Sequence, residues 1–394
     1  MDKQQIPVEE LRVGMYVAEL DRPWLGSPFL FQGFPITSAD QIKEVKQHCK
    51  TVFIDLERGA SADNGAGKQG IRGTVVYKEV TPVEQELVVA RKVYSAVEES
   101  VEASLESVRT TGELDPKPLT DAVGNMTRSI ERNPDAMMLL FRMKERGGGE
   151  FNRAVDTSIH MTTFGRFLQY PGERLELLGL AGLLLDIGKV KLPDSILKKK
   201  DTLTREEYEL AKTHVTLSIE LIRASPRLPK GLEDIVLQHH ERQDGMGYPQ
   251  GLRGRQITID GAIAGLVNNY CALTSARSYA EQDSPSNALG KLYKQRGKFF
   301  HEALVEQFIQ CIGIYPVGST VELNTGEVGI VIAQNLVRRL QPRVLVVLDP
   351  SWKPIPQVML DLIKEPMATA DEPYRIRRTL PKDKLPISPE EFFL

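Results

Sequence analysis

Apolar positions follow different periods in different parts of this 394-residue chain. From 82 to about 110, Leu87, Ala90, Val93, Val97, Val101, Leu105 and Val108 recur at spacings of three and four. That spacing predicts one long helix with a narrow apolar face. Such a face either packs on a neighbouring domain or pairs with a second copy of itself. Helical patterns continue over 119–131 and 134–143, break at Gly147-Gly148-Gly149, and resume from 150 to about 312. On either side the period changes. Residues 15–20 and 52–56 are strand-like, and between them Ser38 to His48 reads as a helix capped by Ser38, with Ile42 and Val45 on one face. Past Tyr315, runs at 317–323, 329–333 and 343–348 are β-type, with a turn signal at Asn324-Thr325-Gly326.

These patterns predict a mainly α chain. The domains are a small mixed α/β N-terminal domain (1–57), a linker (58–81), a helical connector (82–146), a helical domain (147–312) and a β appendage with a C-terminal tail (313–394). The stretch 58–73 is glycine-rich with few apolar side chains and reads as flexible. Trp24, Phe29, Phe31 and Phe34 are expected to form a small core rather than an exposed binding face. The tail from Tyr374, with Arg375, Arg377 and Arg378, is expected to wrap the surface as a solvated basic cluster.

Composition narrows the class. Hydrophobic residues at 41% and charged residues at 26% are ordinary for a soluble globular protein. A formal net charge of −3 gives no footprint for duplex nucleic acid. The three cysteines, Cys49, Cys271 and Cys311, are too few and scattered for a disulfide framework or a zinc cluster. They fit reduced thiols in a cytoplasm. The N-terminus lacks the apolar core of a signal peptide, and no apolar run is long enough for a spanning helix.

The chemistry concentrates at His239–Pro249, HHERQDGMGYP. Side chains one apart on a helix point about 100° apart, so adjacent imidazoles share a metal only at a helix end. The steps Asp244-Gly245 and Tyr248-Pro249 then force a loop.

Continued to Gly254, the string HHERQDGMGYPQGLRG resembles the signature of the HD-GYP family, a branch of the HD-superfamily metal-dependent phosphohydrolases. Known members hydrolyse the bacterial second messenger cyclic di-GMP. The N-terminal segment resembles an uncharacterised domain that often precedes HD-GYP domains, implying a partner or regulatory module. The resemblance implies a helical bundle in which two or three metal ions, held by imidazoles and carboxylates, carry a bridging hydroxide to phosphorus.

Position by position, the resemblance keeps Asp186, His214, His239 and His240 as metal ligands and Asp186 and Lys189 as catalytic. Tyr248, Pro249, Arg277 and Tyr279 stand on the substrate side, and Arg277 suits a phosphate. Ala276, Ser278 and Ala280 depart from the family pattern. Three ligand positions are lost. Leu185 replaces the histidine of the His-Asp pair, Arg153 the early histidine, and Asn268 the final aspartate. His160 lies two turns from Arg153, about 10 Å along the helix, and is a poor replacement. Cys271 replaces a second aspartate.

One metal position is thereby destroyed and one is formally intact, suited to iron, manganese or zinc, or left without metal. The implied function is a catalytically impaired HD-GYP protein that binds cyclic di-GMP, its linear product or a signalling partner, with a homodimer left open. The alternatives are a phosphodiesterase working with a reduced metal site and a purely structural interaction protein. A buried Asp186 without its cation is costly. The guanidinium of Arg153 is therefore expected to reach toward Asp186, with Leu185 and Asn268 closing the remaining space.

Overall fold

A computed structural model describes residues 3–22, 34–36, 39–55, 71–143, 150–199, 201–225, 227–275, 283–335 and 338–380. Trp24, Phe29, Phe31, Ser38, most of the expected linker, the Gly147–149 break, Arg277, Tyr279 and the last residues of the tail lie outside this set. The chain divides into two compact units, Met1–Arg72 and Gly73–Leu394.

The first unit holds β1 (Lys3–Pro7), β2 (Tyr16–Leu20), β3 (Phe34–Pro35), α1 (Ala39–His48) and β4 (Thr51–Asp55). Its antiparallel sheet runs β1-β4-β2-β3. Val17, Val45, Val52 and Ile54 centre its core, and Phe34 is buried there, as expected of that aromatic.

The second unit opens with α2 (Val83–Thr111), α3 (Pro116–Arg132) and α4 (Pro134–Met143). Pro82 precedes α2, and Gly112 ends it in the left-handed region at φ 79. Leu87, Ala90, Val97, Val101 and Val108 of the expected stripe are buried, and α2 packs on α3 and α4. The body continues with α5 (Glu150–Phe167), α6 (Gly172–Leu184), α7 (Asp194–Leu197), α8 (Arg205–Lys212), α9 (His214–Ala224), α10 (Leu232–Gln238), α11 (Ile259–Thr274), α12 (Pro285–Lys294) and α13 (Glu302–Ile312).

A five-stranded antiparallel sheet ends the unit, ordered β8-β7-β6-β5-β9. Strands β5 (Thr320–Leu323), β6 (Val328–Ala333) and β7 (Arg343–Leu348) fall on the expected runs. Two further strands do not. Strand β8 (Pro354–Asp361) carries Pro354 and Pro356, which lack the N–H a central strand needs but are tolerated on an edge. Strand β9 (Ile376–Leu380) lies where a surface-wrapping tail was expected. It pairs with β5, and its basic residues are not simply solvated: Arg377 lies 3.1 Å and Arg378 2.8 Å from Glu322.

Candidate metal and phosphate site

The site is assembled from α5, α6, α9, α10 and α11. Helix α6 ends with Leu184, and Leu185-Asp186 turn the chain into a 3-10 segment, Ile187–Lys191. A Cβ on Gly188 would lie 2.2 Å from the His214 carbonyl oxygen, so only glycine lets this turn reach α9. The Gly188 N–H donates to Ser218 Oγ at 2.8 Å. His214 is the first residue of α9. His239 follows the last residue of α10, so the two histidines do sit at a helix end.

One ligand atom from each of Asp186, His214, His239 and His240 lies within 4.8 Å of the others. The imidazole hydrogen bonds fix what those atoms are. His214 Nδ1 is 2.7 Å from the Ala211 carbonyl, and His239 Nδ1 is 2.6 Å from that of Val236. A carbonyl only accepts, so each Nδ1 carries a proton, and the neutral form of such a ring turns its lone pair outward at Nε2. Those lone pairs meet another acceptor: Asp186 Oδ1 is 3.2 Å from His214 Nε2 and 3.7 Å from His239 Nε2. All three atoms are buried and without a hydrogen-bond partner. Such a cluster is completed by a cation, and backbone-anchored imidazoles are the usual preparation for one. The donor set therefore fits a divalent metal.

Electrostatics agree. Burial lowers the His239 pKa, and burial followed by the neighbouring His239 holds His240 well below the usual imidazole range. Burial would raise Asp186, but the Lys189 ammonium and then the Arg153 guanidinium hold its carboxyl well below the ordinary value.

Leu185, Asn268 and Arg153 are the three positions expected to have lost a ligand. Leu185 and Asn268 are buried. Arg153 turns inward as expected, but its shortest contact is not Asp186. Its Nη2 donates to Asn268 Oδ1 at 2.8 Å and lies 3.7 Å from Asp186 Oδ2. The nearest cation to Asp186 is Lys189, whose Nζ donates to the same Oδ2 at 2.8 Å. This ion pair is local, three residues along the chain, and could have been anticipated from that spacing. Two turns along α5 from Arg153, His160 joins a separate buried group with Asp156 and Cys271. Its Nδ1 lies 2.8 Å from Asp156 Oδ1. Burial, then Asp156, push the Cys271 thiol well above its ordinary pKa.

The loop after His240 is pinned by a residue the sequence did not single out for a role. Glu241 is buried, and its carboxylate accepts from the N–H groups of Gln250 at 2.7 Å, Gly251 at 3.1 Å and Leu252 at 2.9 Å. A Cβ on Gly247 would fall 2.4 Å from Arg242 N. This folding lays Tyr248 on His240, ring centroids 4.5 Å apart and planes at 20°. The Tyr248-Pro249 bond is cis. Lys212 Nζ lies 5.4 Å from the Tyr248 centroid and 4.8 Å from that of exposed Tyr208, extending the wall outward. Arg242 lies over Phe300 at 5.1 Å, and Asp244 Oδ1 accepts from Met246 N.

Among the described residues no helix is long and apolar enough to cross a membrane. The HD domain family model matches residues 136–304, and a domain of unknown function, DUF3391, matches 3–119. The cyclic di-GMP phosphodiesterase PA4108 of Pseudomonas aeruginosa is 31% identical over 368 residues, covering 91% of this chain and 89% of that protein. The cyclic di-GMP phosphodiesterase response regulator RpfG of Xanthomonas campestris is 32% identical over 190 residues, 48% of this chain and 50% of its own. A solved structure, an HDG"Y"P protein from Bdellovibrio bacteriovorus, covers 78% of this chain at 15% identity with a TM-score of 0.47. With a four-residue metal cluster beside a Gly247-Tyr248-Pro249 loop and a relative similar along nearly its whole length, the chain belongs to the HD-GYP family.

Proposed function

We propose that this protein binds cyclic di-GMP or its linear product in bacterial signalling, holds one divalent ion, and hydrolyses the nucleotide poorly. The observation that carries the reading is the guanidinium of Arg153, bonded to Asn268 and 3.7 Å from Asp186, where a second cation would need ligands. The ion belongs with Asp186, His214, His239 and His240, and when bound it supplies a Lewis acid for a phosphoryl oxygen. Iron, manganese and zinc all suit this donor set. Tyr248 and Lys212 wall the approach, and Lys189 stands beside the carboxylate ready to meet an anion. Arg277 and Tyr279 are proposed on the substrate side from the sequence alone.

Two measurements on the purified chain test this together: metal content, and turnover of cyclic di-GMP. One metal per chain is expected, abolished by His214→Ala, with turnover far below about 1 per second. Removal of one transition-state contact already costs about 10²–10³-fold in rate. Two metals per chain, or turnover at the ordinary level, would overturn the reading in favour of a working phosphodiesterase.

A further inference from the structure

Beside the histidine cluster two cations share one carboxylate. Arg153 Nη2 and Lys189 Nζ approach the same Oδ2 of Asp186, at 3.7 Å and 2.8 Å. Asn268 and Leu185, beside them, carry no charge and are buried. One carboxylate thus faces two side-chain cations, a guanidinium and an ammonium.

Both cations remain reachable. The side chains of Arg153 and Lys189 keep 24% and 19% of their surface exposed, against 16% for Asp186. The Nε–H of Arg153 is buried without a hydrogen-bond partner, so the 24% of the side chain that stays exposed lies away from Nε. Asn268 holds one edge of it through Nη2. A guanidinium held through Nη2 and partly exposed is suited to a phosphodiester oxygen, and a nearby ammonium adds a point charge. The low exposure of these side chains strengthens both interactions relative to water.

We infer that this pocket binds a phosphodiester without metal, with Arg153 and Lys189 as its direct ligands in the role a second cation would fill. The inference rests on the proposed nucleotide class. It goes further by making binding independent of the metal and by assigning the anion contact to a residue that stands at a former ligand position.

The experiment is calorimetric titration of the full chain with cyclic di-GMP, and separately with linear pGpG, with and without excess chelator. Binding is expected to survive the chelator and to weaken as salt rises. In chelator, Arg153→Ala is expected to weaken binding about 10- to 100-fold, the value of one or two charge-assisted hydrogen bonds, and Arg153→Lys less. Circular dichroism checks that the variants are folded, and the wild-type comparison needs no variant. Binding that vanishes in chelator and returns with manganese would overturn the inference while leaving the proposed function standing. Unchanged affinity in Arg153→Ala would overturn the assignment of that residue. No binding of either nucleotide under any condition would overturn both.

Discussion

At the scale of single residues, Asp186 shows how a largely enclosed carboxylate is kept ionised. Its counter-charges are redundant: Lys189 at 2.8 Å and Arg153 at 3.7 Å. Breaking a buried pair typically costs about 3–5 kcal/mol because one charge is left alone. Here the loss of Arg153 leaves Lys189 in place, and among the described residues Asn268 is the side chain that forfeits a close hydrogen bond. Arg153→Ala is therefore expected to destabilise by about 1–3 kcal/mol, the range for hydrogen bonds to a charged group. Urea unfolding in chelator measures it. A loss above about 4 kcal/mol would mean that Lys189 does not compensate. The inward turn of Arg153 was legible because a stranded carboxylate demands a cation. Its preference for Asn268 was not, because choosing between two acceptors needs distances that spacing cannot supply.

At the scale of elements, the segment between α10 and α11 behaves as a folded part of the site. Glu241 replaces, for the N–H groups of Gln250, Gly251 and Leu252, the partners a helix or strand would provide. Gln238 Oε1 does the same for Thr258 N at 2.8 Å, fixing the start of α11. Removing Glu241 leaves three part-buried donors to water, since Gln250 and Gly251 are exposed, so the cost falls below the about 1–3 kcal/mol of a fully buried unmet donor. Glu241→Ala is expected to accelerate hydrogen exchange at Gln250, Gly251 and Leu252 and to weaken metal retention by loosening the Tyr248–His240 stack. Unchanged exchange at those amides would show that the carboxylate is not the anchor. The histidine pair and the loop signals were readable because they are contiguous. The anchoring was not, since a glutamate that caps N–H groups nine to eleven residues away leaves no periodic trace. Helices α2 and α4 were readable from apolar period and proline punctuation, whereas β8 and β9 were missed because edge prolines and outward charges hide a strand.

At the scale of the molecule, the Gly73–Leu394 unit joins its C-terminal sheet to its helical body through a buried carboxylate. Asp135 lies in the first turn of α4, after Asn133, whose side chain accepts from the Asp135 N–H at 2.9 Å. Asp135 Oδ2 accepts from Gln334 N, just past β6, at 3.0 Å. Burial is the main reason its pKa is pushed up to about 7, and Glu79 adds to it. The Gln334 N–H, Arg166 and Arg343 oppose that rise. The unfolded chain would release this proton near the ordinary aspartate value of about 3.9. Between those values the folded state holds a proton that the unfolded state has lost, so raising the pH favours unfolding. The stabilising effect of the neutral acid is complete below about pH 4 and is lost as pH rises through about 7. At about 1.4 kcal/mol per unit, the loss reaches about 2–4 kcal/mol at pH 8. Asp135→Asn keeps an acceptor for Gln334 and cannot ionise. Urea unfolding from pH 5 to 8 should show the variant gaining on the wild type as pH rises, whatever other groups titrate in both. Parallel stability curves across that range would mean that Asp135 is ionised in the folded protein and that its link to the sheet is an ordinary charged one.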